Sequence, residues 1–161
     1  MPTTIHVGHS PDSDDAFMFY ALAEHKLDTG DLRYVHELSD IESLNQRALH
    51  GELEVSAVSI HAYAYLADRY ALLACGASFG WGYGPVLVAR ESRSVASLKG
   101  RKVAIPGKLT TAALLLRIEC PEVEPVEVMF DDIPRAVLAG EVEAGVIIHE
   151  SQLTFREEGL V

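Results

Sequence analysis

Gly51-Glu-Leu-Glu-Val-Ser-Ala-Val-Ser-Ile60 aligns without a gap on Gly140-Glu-Val-Glu-Ala-Gly-Val-Ile-Ile-His149. Each stretch reads as a helix stop at glycine, a short acidic turn and a buried apolar strand. Two accounts fit the match: shared chemistry of helix-to-strand loops, or duplication of a half. Both give the same geometry. Ser59 and His149 lie near the carboxyl ends of equivalent strands, the edge where open parallel sheets bind their ligands.

The chain on either side of these stretches reads as βαβαβ, twice. Ile5 and Val7 begin a strand that ends at Gly8-His9, and Ser10-Pro-Asp-Ser-Asp-Asp15 reads as a turn and helix start. Asp12 or Ser13 is the expected N-cap, with Asp14 and Asp15 placed where the helix dipole favours negative charge. Ala16, Tyr20, Ala23 and Leu27 recur at helical spacing and are expected to face the core. Leu32 to Leu38 alternates as a strand. Ser39-Asp-Ile-Glu42 has capping-box spacing before Ile41, Leu44, Ala48 and Leu49. A strand over Val55 to Ser59 and a segment helical in its first half, His61 to Ala74, close the first half.

Gly76, Gly80, Gly82 and Gly84 then break the alternation and lead into a strand, Val86 to Ala89. The polar, serine-rich stretch Glu91 to Lys99 reads as the passage between halves. The order then repeats: strand Lys102 to Ile105, loop Pro106 to Leu109, a helix capped by Thr110 or Thr111, strand Val126 to Phe130, a helix from Asp131 or Asp132 to Ala139, and strand Ala144 to Ile148. The expectation is an α/β fold with lobes over 1–91 and 92–161 and a small organic acid bound in the cleft between them.

Charge narrows the ligand. Thirteen basic residues face 24 acidic ones, a formal net charge of -11. Such a surface repels phosphate backbones, and no basic stripe offsets it, so nucleic acid is not the expected partner. Cys75 and Cys120 lack CxxC spacing and read as reduced thiols. Without a basic–apolar leader or a run long enough for a bilayer, the expected location is the cytoplasm, with no membrane partner.

Candidate chemistry gathers at the strand ends. Thr110-Thr111-Ala112 opens a helix directly after a strand and a Pro-Gly loop, where amides and hydroxyls make a carboxylate site or a plain N-cap. His149 follows Gly145-Val-Ile-Ile148 and suits a general base near neutral pH, or a structural hydrogen-bonded histidine. Glu150 is adjacent, and neighbouring side chains usually diverge. Ser59 is placed to donate a hydroxyl or backbone N–H, or to cap the next helix. Asp12, Asp14 and Asp15 admit a magnesium reading, but helix-dipole complementarity is the simpler one. The remaining histidines lack zinc spacing, and Walker, GxGxxG and GxSxG motifs are absent.

His9-Ser-Pro-Asp-Ser-Asp-Asp-Ala-Phe-Met-Phe-Tyr-Ala-Leu22, Val58-Ser-Ile-His-Ala-Tyr63, Gly84-Pro-Val-Leu-Val-Ala-Arg90, Val103-Ala-Ile-Pro-Gly107 with Thr110-Thr-Ala112, and Gly140-Glu-Val-Glu-Ala-Gly-Val-Ile-Ile-His-Glu-Ser151 together resemble the 1,4-dihydroxy-6-naphthoate synthase family of the futalosine route to menaquinone. The resemblance covers nearly the whole chain. It implies a two-lobed fold like type II periplasmic binding proteins and cofactor-free conversion of cyclic dehypoxanthine futalosine to 1,4-dihydroxy-6-naphthoate and dihydroxyacetone. In that likeness His149 matches the proton acceptor. Ala57, Val58 and Ser59 match substrate contacts of the first lobe, and Thr111 and Ala112, beside Thr110, match those of the second.

The chain also departs from the family. Asp12-Ser-Asp-Asp15 stands where many members have Cys-Pro-Asn-Asp, and Ala57 where some have Lys, which alters the charge near the ligand. Members also continue beyond Val161, so the resemblance implies a second lobe that is incomplete here. A chorismate-dehydratase-like sister enzyme and a non-catalytic solute-binding protein for a small carboxylate are the competing readings.

Overall fold

The computed structural model, which describes residues 2–161, realises the repeated βαβαβ order as two separate sheets. The first unit, Met1–Phe79, contains β1 (Thr3–His9), α1 (Ser13–Ala23), β2 (Leu32–Leu38), α2 (Ile41–His50), β3 (Val55–Ser56) and α3 (Ile60–Tyr63). Its three strands are parallel, in the order β2-β1-β3. The second unit, Gly80–Val161, contains β4 (Val86–Ala89), β5 (Lys102–Ile105), α4 (Thr111–Glu119), β6 (Glu124–Glu127), α5 (Ile133–Leu138), β7 (Ala144–Ile147) and α6 (Ser151–Thr154). Its sheet runs β4-β7-β5-β6, with β5 parallel to both neighbours and β4 antiparallel to β7.

Parallel neighbours need a crossover, and the helices supply it. In each βαβαβ stretch, β1 to β3 and β5 to β7, the first strand is flanked by the other two. Val7 pairs with Val55 and Gly8 with Ser56, while Val103 pairs with Ala144 and Ala104 with Gly145. Val55 and Ala144 are also equivalent in the ungapped sequence match, so register and sequence repeat agree.

The helix stops repeat as well. Gly51 and Gly140 end α2 and α5 at φ 70° and 77°, a left-handed conformation that a side chain would oppose. A guanidinium supports each end: Arg69 Nη1 donates to the Leu49 carbonyl, and Arg90 Nη1 donates to those of Val137 and, at 3.1 Å, Val142.

In the second unit the sheet is covered on both faces. Val103, Ile105, Ala144 and Val146 pack with Ala112, Ala113 and Leu116 of α4, whereas Ala104 and Ile147 pack with Ile133, Ala136 and Val137 of α5. The period-two alternation of β5 divides the two cores. The first unit buries a smaller apolar set, including Val7, Leu44, Ala48, Leu53, Ala62 and Leu66.

Several details differ from the sequence expectation, among them β3, which ends at Ser56 rather than Ser59. The units divide after Phe79 rather than after residue 91, because β4 pairs along its whole length with β7. On α1, Ala16, Tyr20 and Ala23 are exposed, as is Leu27 beyond the helix end, and Asp15, Met18, Phe19 and Leu22 turn inward. The cause is the carboxylate of Asp15, which accepts the Ser10 amide at 2.7 Å and fixes the helix rotation. The cap of α2 is Asp40, accepting the Ser43 amide at 3.0 Å, so Ser39 and Glu42 form no capping box. Finally, β6 runs Glu124–Glu127 rather than 126–130, with Pro125 tolerated because β6 is an edge strand. Among the described residues, no helix is long and apolar enough to cross a membrane.

A Cβ added at Gly145 would lie 2.4 Å from Ile133 Cγ2 and 3.0 Å from Val137 Cγ2. Gly145→Ala is therefore expected to lower stability by about 1–3 kcal/mol through overpacking of α5 on the sheet. The check is urea unfolding, read as a lower midpoint at unchanged slope.

Candidate functional site

The carboxyl edge of the second sheet brings three loops together. The loop after β5 leads into α4, the loop after β6 carries Phe130 and Asp131, and the loop after β7 carries His149. Because β5 lies between β7 and β6, Asp131 and His149 meet across the end of β5. His149 Nε2 lies 2.9 Å from Asp131 Oδ1. The imidazole packs edge-on against Phe130, with centroids 4.5 Å apart. The His149 side chain is 11% exposed, whereas that of Asp131 is 72% exposed.

Hydrogen-bond chemistry assigns the tautomer. A carboxylate only accepts, so Nε2 carries the hydrogen and donates it to Asp131. The other nitrogen, Nδ1, faces the Ser151 amide at 3.3 Å and the Ser151 hydroxyl at 3.0 Å. A backbone amide only donates, so Nδ1 holds the lone pair. The two assignments are independent and agree. Sequence reasoning singles out His149 but neither of its partners: Asp131 reads only as a helix cap, and Ser151 carries no signal of its own.

At the start of α4, Thr110 is buried. Its hydroxyl donates to the Gly107 carbonyl at 2.8 Å and accepts the Ala113 amide at 3.2 Å. The side chain expected to hold substrate is thus engaged in building the cap. Thr111 is half-buried and Ala112 buried, in the first turn of the same helix.

In the first unit, Ala57, Val58 and Ser59 follow β3 and are half-buried. Asn45, fully buried on α2, grips Ser59 twice. Its Oδ1 accepts the Ser59 amide at 2.9 Å, and its Nδ2 donates to Ser59 Oγ at 3.2 Å. The Ser59 amide, expected to serve a ligand, is held by this side chain; the hydroxyl, already accepting, retains its hydrogen for donation. The sequence signal for Asn45 is a polar residue beside Leu44 on an apolar helix face.

A second histidine feature lies at the end of β1. His9, buried and stacked on Phe19 at 4.3 Å, donates from Nδ1 to the Ser10 carbonyl at 3.0 Å. Its Nε2 therefore accepts from His36 Nδ1, also at 3.0 Å. That leaves His36 Nε2 buried, with no partner among the described residues. Burial, followed by the charges of His9 and His25, holds the His36 pKa below its ordinary value. Burial pushes the Asp15 carboxyl up, partly opposed by the Ser10 amide. Asp14 accepts from Ser78 Oγ and Asp15 from Ser10, so the two carboxylates serve different partners. Among the described residues, no group of three His, Cys, Asp or Glu side chains is placed to hold a metal ion.

A profile of the menaquinone biosynthesis family matches residues 5–161. The 1,4-dihydroxy-6-naphthoate synthase of Thermus thermophilus is 43% identical over 157 residues, covering 98% of this chain and 57% of that protein. The Streptomyces coelicolor enzyme of the same name is 37% identical over 163 residues, with the same coverage. The chain thus spans 57% of the length of these relatives. A crystal structure of an Archaeoglobus fulgidus protein superposes with a TM-score of 0.92 at 51% identity, covering 98% of this chain and 58% of that one. The alkanesulfonate-binding protein of Xanthomonas axonopodis pv. citri gives 0.68 at 16% identity, over 98% of this chain and 58% of its own. The fold is that of periplasmic solute-binding proteins.

Asn45→Ala removes both grips on Ser59 and leaves a partly buried amide without its acceptor, for an expected loss of about 1–3 kcal/mol. Thermal or urea unfolding measures it. His36 sets a pH dependence. Its folded-state pKa lies below the ordinary 6.5, so below that pH the unfolded chain binds more protons and stability falls until the depressed value is reached. Urea midpoints at about pH 7.5 and about pH 5.5 are expected to differ less in His36→Asn than in the wild type. Equal differences would contradict the assignment.

Proposed function

The chain belongs to the menaquinone biosynthesis family, and from that premise we propose that it acts as a 1,4-dihydroxy-6-naphthoate synthase. It is a carbon–carbon lyase that opens cyclic dehypoxanthine futalosine to 1,4-dihydroxy-6-naphthoate and dihydroxyacetone in the cytoplasm, without a cofactor. Two relatives carrying that name match 98% of the chain, which supports the reading. The observation that carries the mechanism is the fixed tautomer of His149, with a hydrogen on Nε2 against Asp131 and a lone pair on Nδ1.

In this reading His149 is the general base. It draws a proton from a substrate hydroxyl; the oxygen's electron pair forms a carbonyl, and the adjacent carbon–carbon bond releases its electrons into the departing ring system. The imidazolium then returns a proton to the product. A low exposed fraction favours such a step, since water competes less for the proton. Ala57, Val58 and Ser59 are proposed substrate contacts from the first unit, Ser59 through its hydroxyl. Thr111 and Ala112 are proposed contacts from the second, held in place by the Thr110 cap. The first turn of α4 favours an anionic group, which suits a carboxylate substrate.

Incubation of the protein with cyclic dehypoxanthine futalosine, followed by chromatography, should yield the naphthoate. His149→Ala is expected to lower kcat by about 10²- to 10⁴-fold while calorimetry still records substrate binding. Undiminished turnover in that variant would contradict the assignment of the base.

A further inference from the structure

Both ring nitrogens of His149 are engaged by the protein: Nε2 by Asp131 at 2.9 Å, and Nδ1 by the amide and hydroxyl of Ser151. The ring is also largely covered and braced by Phe130. A substrate proton that is to reach Nδ1 directly would have to displace the serine. Ser151 itself is half-buried, and its hydroxyl lies 3.0 Å from the lone pair, which is the distance of an established donor.

We propose that Ser151 is a catalytic proton relay, taking the substrate's hydroxyl proton on Oγ as it passes its own proton to His149 Nδ1. The proposal rests on the reading of His149 as the base. The bookkeeping closes within these groups. The substrate O–H bond breaks and an O–H bond forms at Ser151, while the original Ser151 O–H bond breaks and N–H forms at Nδ1. Serine stays neutral, the ring becomes imidazolium, and the positive charge sits against the Asp131 carboxylate. Reversal of the same two transfers delivers the proton to the departing carbanion and restores the starting state. Asp131 is a positioning residue, because it acts only through the ring.

The geometry explains why an amide and a hydroxyl of one residue share Nδ1. The amide at 3.3 Å holds the residue in place and keeps its Oγ facing the ring. A serine serving only as a helix-start residue would not require its hydroxyl to point at an imidazole whose opposite nitrogen is anchored to a carboxylate.

The test compares wild type, Ser151→Ala and Ser151→Thr with cyclic dehypoxanthine futalosine, as steady-state rates and as proton inventories in mixed light and heavy water. Ser151→Ala is expected to lose roughly 10²-fold in kcat with KM little changed, and Ser151→Thr, which keeps a hydroxyl, to recover most of it. The wild-type inventory should be bowed, as for two protons moving together, and that of Ser151→Ala straight. If Ser151→Ala retains wild-type turnover, or the wild-type inventory is straight, the relay is overturned while His149 can still stand as the base. The wild-type inventory alone decides should the alanine variant fail to fold. If the wild type forms no naphthoate, the functional reading fails and the relay falls with it.

Discussion

One hydrogen bond, from His149 Nε2 to Asp131 Oδ1, determines what the carboxyl edge of the second sheet can do. It joins loops from strands that are not neighbours, since β5 separates β7 from β6. The placement of β5 between them is therefore a precondition of the contact. The bond contributes little to stability. With Asp131 mostly exposed, solvent and salt screen the pair, and such contacts are worth about 0–1 kcal/mol. Its consequence is orientation. It settles which imidazole nitrogen holds the lone pair, and thereby that the lone pair faces Ser151.

The scaffold that presents this bond uses the same βαβαβ order twice. Each helix stop is a left-handed glycine backed by an arginine, Gly51 with Arg69 and Gly140 with Arg90. The strand that follows, β3 or β7, then returns beside β1 or β5 in a register that the sequence repeat reproduces. The second unit is the more thoroughly buried of the two, with apolar layers on both faces of its sheet. The loops bearing His149 and Asp131 thus emerge from a closely packed base. In the first unit the equivalent strand end is organised differently, by the buried amide of Asn45 gripping Ser59.

Local patterns made much of this legible. Apolar strands, glycine stops and a threonine cap at Thr110 or Thr111 follow from chemistry within a few residues, although strand ends such as that of β3 do not. What escaped depended on distant partners. Asp131 is 18 residues from His149, and nothing near either residue announces the other. Apolar spacing alone gives the wrong rotation for α1, because the Asp15 carboxylate turns inward to meet the Ser10 amide. An antiparallel strand such as β4 carries no local mark of its partner, so the sequence does not reveal that it pairs with β7. The start of β6 is hidden because Pro125 reads as a breaker unless the strand is known to lie at an edge.

The account is tested most directly by ¹⁵N-detected NMR of His149 in its neutral form, assigned through its loss in His149→Ala. The account predicts a protonated Nε2 and a bare Nδ1. A proton found on Nδ1 would contradict it, because the ring could then neither donate to Asp131 nor accept from Ser151.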